Sequence, residues 1–134
     1  MLHLQTLPDV VRIPELSSAI GLSTARTYQL LDEKRIPYIR IDKRIILFKE
    51  HLLQGLSKTS VYTDASKLNA LADLPDVFPP HRLVEAFRIS HGLAYTWAHL
   101  PGFPAVMERD RILVDKQELI RWIKRNENYI REYN

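Results

Sequence analysis

Arg26 and Gln29 stand three residues apart in the run Ser23 to Arg35, and Arg40, Lys43 and Arg44 follow shortly after. Arginine can grip guanine through two hydrogen bonds, and glutamine does the same for adenine. Three residues apart on a helix, two such side chains share a face. Lysine and arginine on a hairpin suit phosphate or minor-groove contact. Ser23, Thr24 and Tyr28 add hydroxyls that can hold phosphate oxygens. The chemistry open to this set is the reading of duplex DNA, with base edges met by one helix and the backbone met by a hairpin.

Other chemistries find little support. His91 and His99 lie two helical turns apart, too far to share a metal by themselves, and His3, His51 and His81 show no ligand spacing with any acid. All five histidines read as surface groups. No nucleophile elbow, phosphate-cradling glycine loop or zinc-protease pattern is present. With four glycines and no cysteine, no catalytic residue, metal or cofactor is expected, and the chain does not read as an enzyme.

The elements that must position these residues can be read around them. Ser23 is a good N-cap, and Thr27, Leu30 and Leu31 share an inward helical face. Lys34 and Arg35 fall in the last turn, where positive charge suits the helix dipole. Ile36-Pro37 ends the helix, because the residue before proline is pushed out of the α region. Ile39, Ile41, Ile45 and Leu47 alternate around a turn at Asp42-Lys43, which predicts a two-stranded hairpin. Upstream, Pro14 opens a short helix, Glu15 to Ile20, that stops at Gly21. Met1 to Val11 reads as an arm, with room for a short strand, that packs on the first unit, and Lys49 to Leu56 as a helix with Leu52, Leu53 and Leu56 inward.

The same pattern recurs 67 positions later without a gap. Ser23 meets Ser90, Tyr28 meets Tyr95, Pro37 meets Pro104, Arg44-Ile45 meets Arg111-Ile112, and Lys49 meets Lys116. A matched N-cap, proline and hairpin at one fixed shift argues for an internal repeat. The intervening Ser57 to Pro80 reads as a linker, helical from Asp64 to Leu74 with Leu68, Leu71 and Ala72 on one side. The second unit predicts helices at His81 to Phe87 and His91 to Leu100, a hairpin tipped by Arg109-Asp110, and a closing helix from Lys116 to about Tyr133. Trp97 and Trp122 fall on apolar faces. Tyr129, Ile130 and Tyr133 would pack within the chain or offer a dimer surface.

The two units differ in charge. Seven cations against three carboxylates leave +4 over Ser23 to Lys49, whereas Ser90 to Lys116 has three of each and is neutral. Leu93 and Thr96 replace Arg26 and Gln29. Since phosphate attraction dominates affinity, the first unit is expected to bind DNA more strongly. His91, Tyr95, Thr96, Arg109 and Arg111 are the weaker candidates of the second.

At 134 residues the chain fits one domain or two very small ones, and each repeat alone could bury only a marginal core. The repeats, or the linker between them, are therefore expected to pack together. An apolar fraction of 46% is ordinary for a globular protein, and a net charge of +3 hints only mildly at an acidic partner. Neither a signal pattern nor a membrane-length apolar run is visible, so a soluble cytoplasmic protein is expected.

The stretch LSTARTYQLLDEKRIPYIRIDKRIILFKEHLLQGL resembles the excisionase-type helix-turn-helix domain, a small relative of the MerR-like winged helix. Members carry a Ser-led recognition helix, a turn often with proline, a basic hairpin wing, and a closing helix that begins with charged residues. Here these are Ser23 to Arg35, Pro37, Tyr38 to Phe48, and Lys49-Glu50 onward. ISHGLAYTWAHLPGFPAVMERDRILVDKQELIRWI is similar but more divergent, and its recognition helix lacks basic residues. The resemblance implies a mainly α fold with small β-hairpin wings, a tandem winged helix-turn-helix (α+β). Residues 1–56 would hold the arm and first unit, 57–79 the linker, and 80–134 the second unit. The family includes recombination directionality factors, which bend DNA beside attachment sites, and small transcription regulators. The resemblance implies double-stranded DNA as partner, bound without catalysis, with Thr24, Arg26, Tyr28, Gln29, Lys43 and Arg44 as the contact residues. An integrase or other DNA-bound protein is a further implied partner. The chain would be a pseudo-dimeric monomer or a homodimer, and a protein-docking module on the same fold is a third reading.

Overall fold

The computed structural model describes residues 4–57, 64–126 and 129. It is a mixed α and β fold with two antiparallel three-stranded sheets. After a 3-10 turn at Leu4–Thr6 come strand β1 (Val10–Val11), helices α1 (Ile13–Ile20) and α2 (Thr24–Glu33), strands β2 (Ile39–Ile41) and β3 (Arg44–Phe48), and helix α3 (Lys49–Ser57). A second 3-10 turn (Ala65–Lys67) leads to a four-residue helix α4 (Asn69–Ala72). The pattern then restarts with β4 (Val77–Phe78), α5 (Arg82–Phe87), α6 (His91–Ala98), β5 (Ala105–Glu108), β6 (Arg111–Asp115) and α7 (Lys116–Arg125).

The 67-residue offset extends to the hydrogen bonds. Val10↔Phe48 and Ile39↔Ile46 recur as Val77↔Asp115 and Val106↔Leu113. The Ser23 side chain accepts from the Arg26 N–H, and the Ser90 side chain from the Leu93 N–H. The Lys49 N–H donates to the Asp9 carbonyl, and the Lys116 N–H to that of Asp76. Both helix pairs turn through a left-handed residue, Gly21 at φ 71° and Arg88 at φ 56°.

Several sequence expectations change. Each hairpin gains a third strand from the segment preceding its first helix, because β1 and β4 pair with β3 and β6. The linker therefore ends before residue 77, since Val77–Phe78 belongs to the second sheet. The expected helix from Asp64 to Leu74 is two short turns, with Leu68 and Leu71 inward but Ala72 exposed. Helix α1 starts at Ile13 rather than Glu15, so Pro14 is its second residue. Helix α2 ends at Glu33; Arg35 lies beyond it at φ 53°, where the Ile36 N–H donates to the Leu31 carbonyl and closes the helix end. Helix α6 ends at Ala98 and α7 at Arg125, short of Leu100 and Tyr133. Leu2, His3, Ile130 and Tyr133 lie outside the described residues.

The first sheet forms the expected hairpin and is buried on both sides. Ile39, Ile41, Ile45 and Leu47 do not share one face. Val11, Ile45 and Leu47 pack with Leu16, Leu31, Ile36 and Leu52 in the core of the first unit. Val10, Ile39, Ile41, Ile46 and Phe48 face the other way and join Ala65, Leu68, Leu71, Phe87, Trp97 and Ile120 in a second core. A sheet buried on both faces reads as a continuous apolar run rather than an alternation, and Ile45-Ile46-Leu47-Phe48 is such a run. The units thus pack together through the first sheet, as their small size requires. Inside the first unit α3 lies close on the chain after α2: a Cβ at Gly55 would meet Ile36 Cγ1 at 2.4 Å.

His51 is the one histidine placed wrongly from sequence among those described. It is fully buried, and its Nε2 shares a 2.7 Å hydrogen bond with the Tyr129 hydroxyl. Phe48 packs edge-on against both rings. Desolvation pushes the His51 imidazole from its ordinary 6.5 down to about 4. The fold therefore prefers neutral His51, and the unfolded chain binds the extra proton between those two values. Stability from this group is full above pH 6.5, falls as the pH drops toward 4, and totals roughly 3 kcal/mol. Urea unfolding followed across that window should show this slope in the wild type and a smaller one in His51→Gln.

Candidate nucleic-acid interface

Helix α2 is held by one buried stripe. Thr27 and Leu31 are fully buried, and Thr27 Oγ1 shares a 2.8 Å hydrogen bond with Ser17 Oγ of α1. The Thr27 hydroxyl donates to the Ser23 carbonyl at 2.8 Å, so Ser17 donates to Thr27, and this polar pin between two buried hydroxyls fixes the rotation of α2 on α1. The opposite face then carries Thr24, Ala25, Arg26, Tyr28, Gln29 and Asp32, all exposed. Arg26 Nη1 donates to Gln29 Oε1 at 3.4 Å, so the two groups with base-pairing geometry are neighbours. Among the described residues none buries these six side chains.

Beside α2 lies an open cavity of about 410 Å³. Tyr28 of α2 meets the hairpin residues Asp42, Lys43 and Arg44 around it, and Arg12 and Pro14 at the start of α1 close one side. Leu93 and Trp97 of α6 also line it. The tip of the first hairpin therefore stands between the two second helices. Among the described residues, Arg26, Arg40, Lys43 and Arg44 make no ion pair, so their charge is available to an outside anion. Ser23 is exposed at the head of α2 as its N-cap.

Of the sequence candidates, Tyr28, Lys43 and Arg44 share the cavity, while Arg26 and Gln29 pair on the outer face of the same helix. Arg40 is exposed on β2 and does not line the cavity. The second-unit candidates His91, Tyr95, Thr96, Arg109 and Arg111 are all exposed, but none lines it. Two polar groups of α6 are turned back on their own helix: Thr96 Oγ1 donates to the Gly92 carbonyl and His99 Nδ1 to that of Tyr95. Tyr129, one of the residues considered for a dimer surface, is buried against Phe48 and His51 within the chain.

Sequence reasoning missed Arg88 and Arg12. Arg88 occupies the left-handed position that Gly21 fills in the first unit, a conformation that costs a residue with a Cβ about 1–2 kcal/mol. Its guanidinium reaches across to the first unit, giving two hydrogen bonds to the Glu15 carboxylate at 2.7 and 2.9 Å and one to the Val10 carbonyl at 2.9 Å. Arg12 returns the contact by donating to the Arg88 carbonyl. Arg88 holds the Glu15 carboxyl below the usual carboxylate range. The available signal was an arginine standing where the repeat has its turn glycine.

Among the described residues, no three His, Asp or Glu side chains gather as a metal site, and no helix is long and apolar enough to cross a membrane. Compared with protein-family models, curated proteins and solved structures, the chain matches none.

Arg88→Ala should cost about 1–3 kcal/mol, the usual value of charge-assisted hydrogen bonds lost from a part-buried site. Denaturant unfolding measures it. Adding Glu15→Gln to Arg88→Ala should cost little more than Arg88→Ala alone, because each single change already breaks the same pair.

Proposed function

We propose that the chain is a tandem winged helix-turn-helix protein that binds double-stranded DNA through its first unit. In this reading α2 enters the major groove, with Arg26 and Gln29 toward base edges, while Ser23, Thr24 and Tyr28 touch phosphates at the groove rim. The first hairpin is the wing, and Lys43, Arg44 and Arg40 lie along the backbone or the adjacent minor groove. The observation that carries the reading is the shared cavity. It sets the unpaired cations of the wing tip beside Tyr28, next to a helix face that the rest of the chain leaves open.

The second unit contributes less. Its helix α6 borders the wing tip through Leu93 and Trp97, so its exposed Tyr95 and His91 are secondary contacts to a duplex already held. Neutral charge and back-bonded side chains support that ranking. The biological reading that follows is a sequence-specific regulator of a mobile element or phage. A DNA-bending recombination factor uses the same contacts and differs only in the deformation it imposes.

Duplexes selected from a random pool, followed by binding titrations at several salt concentrations, test this. Arg26→Ala should cost about 1–3 kcal/mol and relax preference at one base. Lys43→Ala and Arg44→Ala should weaken all duplexes alike and lower the salt slope by about 1 each. Arg109→Ala and Arg111→Ala should do less. Equal losses from both hairpins, or no affinity for any duplex, would sink the assignment.

A further inference from the structure

We propose that two copies of this chain pair through the free edge of β5, joining their second sheets into one of six strands. The argument begins with an asymmetry between the repeats. The second sheet runs β4-β6-β5, so β5 is an edge, as β2 is in the first sheet. On β2 the side chains Ile39 and Ile41 are buried, and the Arg40 carbonyl accepts a hydrogen bond from the Asn126 side chain. The first edge is therefore covered by its own chain. On β5, Val106 and Met107 are 64% and 65% exposed, more than any other large apolar side chain among the described residues. No described residue hydrogen-bonds the Met107 carbonyl from outside the sheet.

The register says which groups are free. Met107 pairs with Ile112 as Arg40 pairs with Ile45, so its carbonyl points off the edge as that of Arg40 does. In an antiparallel pair alternate residues bond to one side, which turns the groups of Ala105 and Met107 outward; the Ala105 N–H already donates to the Phe103 carbonyl at 2.8 Å, so the Ala105 carbonyl and both Met107 groups are the ones open to a partner. A bare, apolar edge strand with no charge until its last residue is a template for another strand.

Charge decides the occupant. The first hairpin carries Arg40, Lys43 and Arg44 against Asp42, and two copies of it would repel. Across the second hairpin Glu108, Arg109, Asp110 and Arg111 alternate and cancel, so two copies approach without net repulsion. A two-fold axis at Val106 lets each Met107 N–H donate to the partner's Ala105 carbonyl. It also sets Val106 against the partner's Val106, apolar on apolar, as an isologous contact requires.

Sedimentation of the full chain without DNA tests this independently of the DNA reading. The wild type should pass from monomer to dimer between micromolar and near-millimolar concentration. Val106→Lys sets two ammonium groups opposite each other and should weaken the dimer at least about tenfold, with an unchanged circular dichroism spectrum. The chain has no cysteine, and directly opposed residues of this kind have Cα atoms about 4.5 Å apart, within disulfide reach. Val106→Cys should therefore form a covalent dimer on mild oxidation much faster than Val77→Cys, which is also exposed. A wild type that stays monomeric throughout, a Val106→Lys variant that dimerises as well, or equal cross-linking of the two cysteine variants would each overturn the proposal.

Discussion

The first hairpin is apolar on both faces, and the rest of the structure depends on how those faces are covered. One face closes the core of the first unit over Leu16, Leu31 and Leu52. The other, with Ile39, Ile41, Ile46 and Phe48, has no partner inside that unit and must find one or lie in water. At about 25 cal/mol per Å², several large side chains left exposed would outweigh the whole net stability of a domain this small. The second unit and the linker supply the cover. Phe48 is at the centre of the junction, with its ring packed against Phe87, Tyr129 and His51.

That packing is directional, and the repeats differ because of it. The first unit spends its outer sheet face on the second, while on the matching face of the second unit Val77, Val106, Glu108 and Asp115 are exposed. At the positions 67 residues after Ile41 and Phe48 stand Glu108 and Asp115, carboxylates that tolerate water. Val106 keeps the apolar character of Ile39 without its burial. A repeat face that water covers is commonly polar in this way, and Val106 and Met107 remain apolar on β5. The same junction sets the wing tip of the first unit beside α6. In the proposed DNA reading, the cationic wing is therefore backed by the second unit rather than projecting alone.

Much of this could be read from the chain. The N-caps Ser23 and Ser90 and the turn at Gly21 follow from local chemistry, and the helix stops expected at Ile36 and Leu100 fall within a few residues of the observed ends at Glu33 and Ala98. The charge difference between the hairpins was legible too, since it needs only residue identities. What resisted reading was tertiary. Ile39, Ile41, Ile45 and Leu47 marked the hairpin, but period-two alternation could not reveal that Ile46 and Phe48 are buried as well. Strands β1 and β4 are two residues long, too short for any periodicity, and exist only because β3 and β6 offer an edge. His51 read as a surface group because its partner Tyr129 is 78 positions away. Arg88 carried its signal only in comparison with Gly21.

Native-state hydrogen exchange tests the shared junction most directly. If the first sheet is held by both cores, amides of Ile39, Ile41 and Ile46 in the first unit should exchange only with global opening. They should then give the same free energy as Trp97 and Ile120 in the second, with the same dependence on denaturant. Two distinct free energies, one for each unit, would contradict the account.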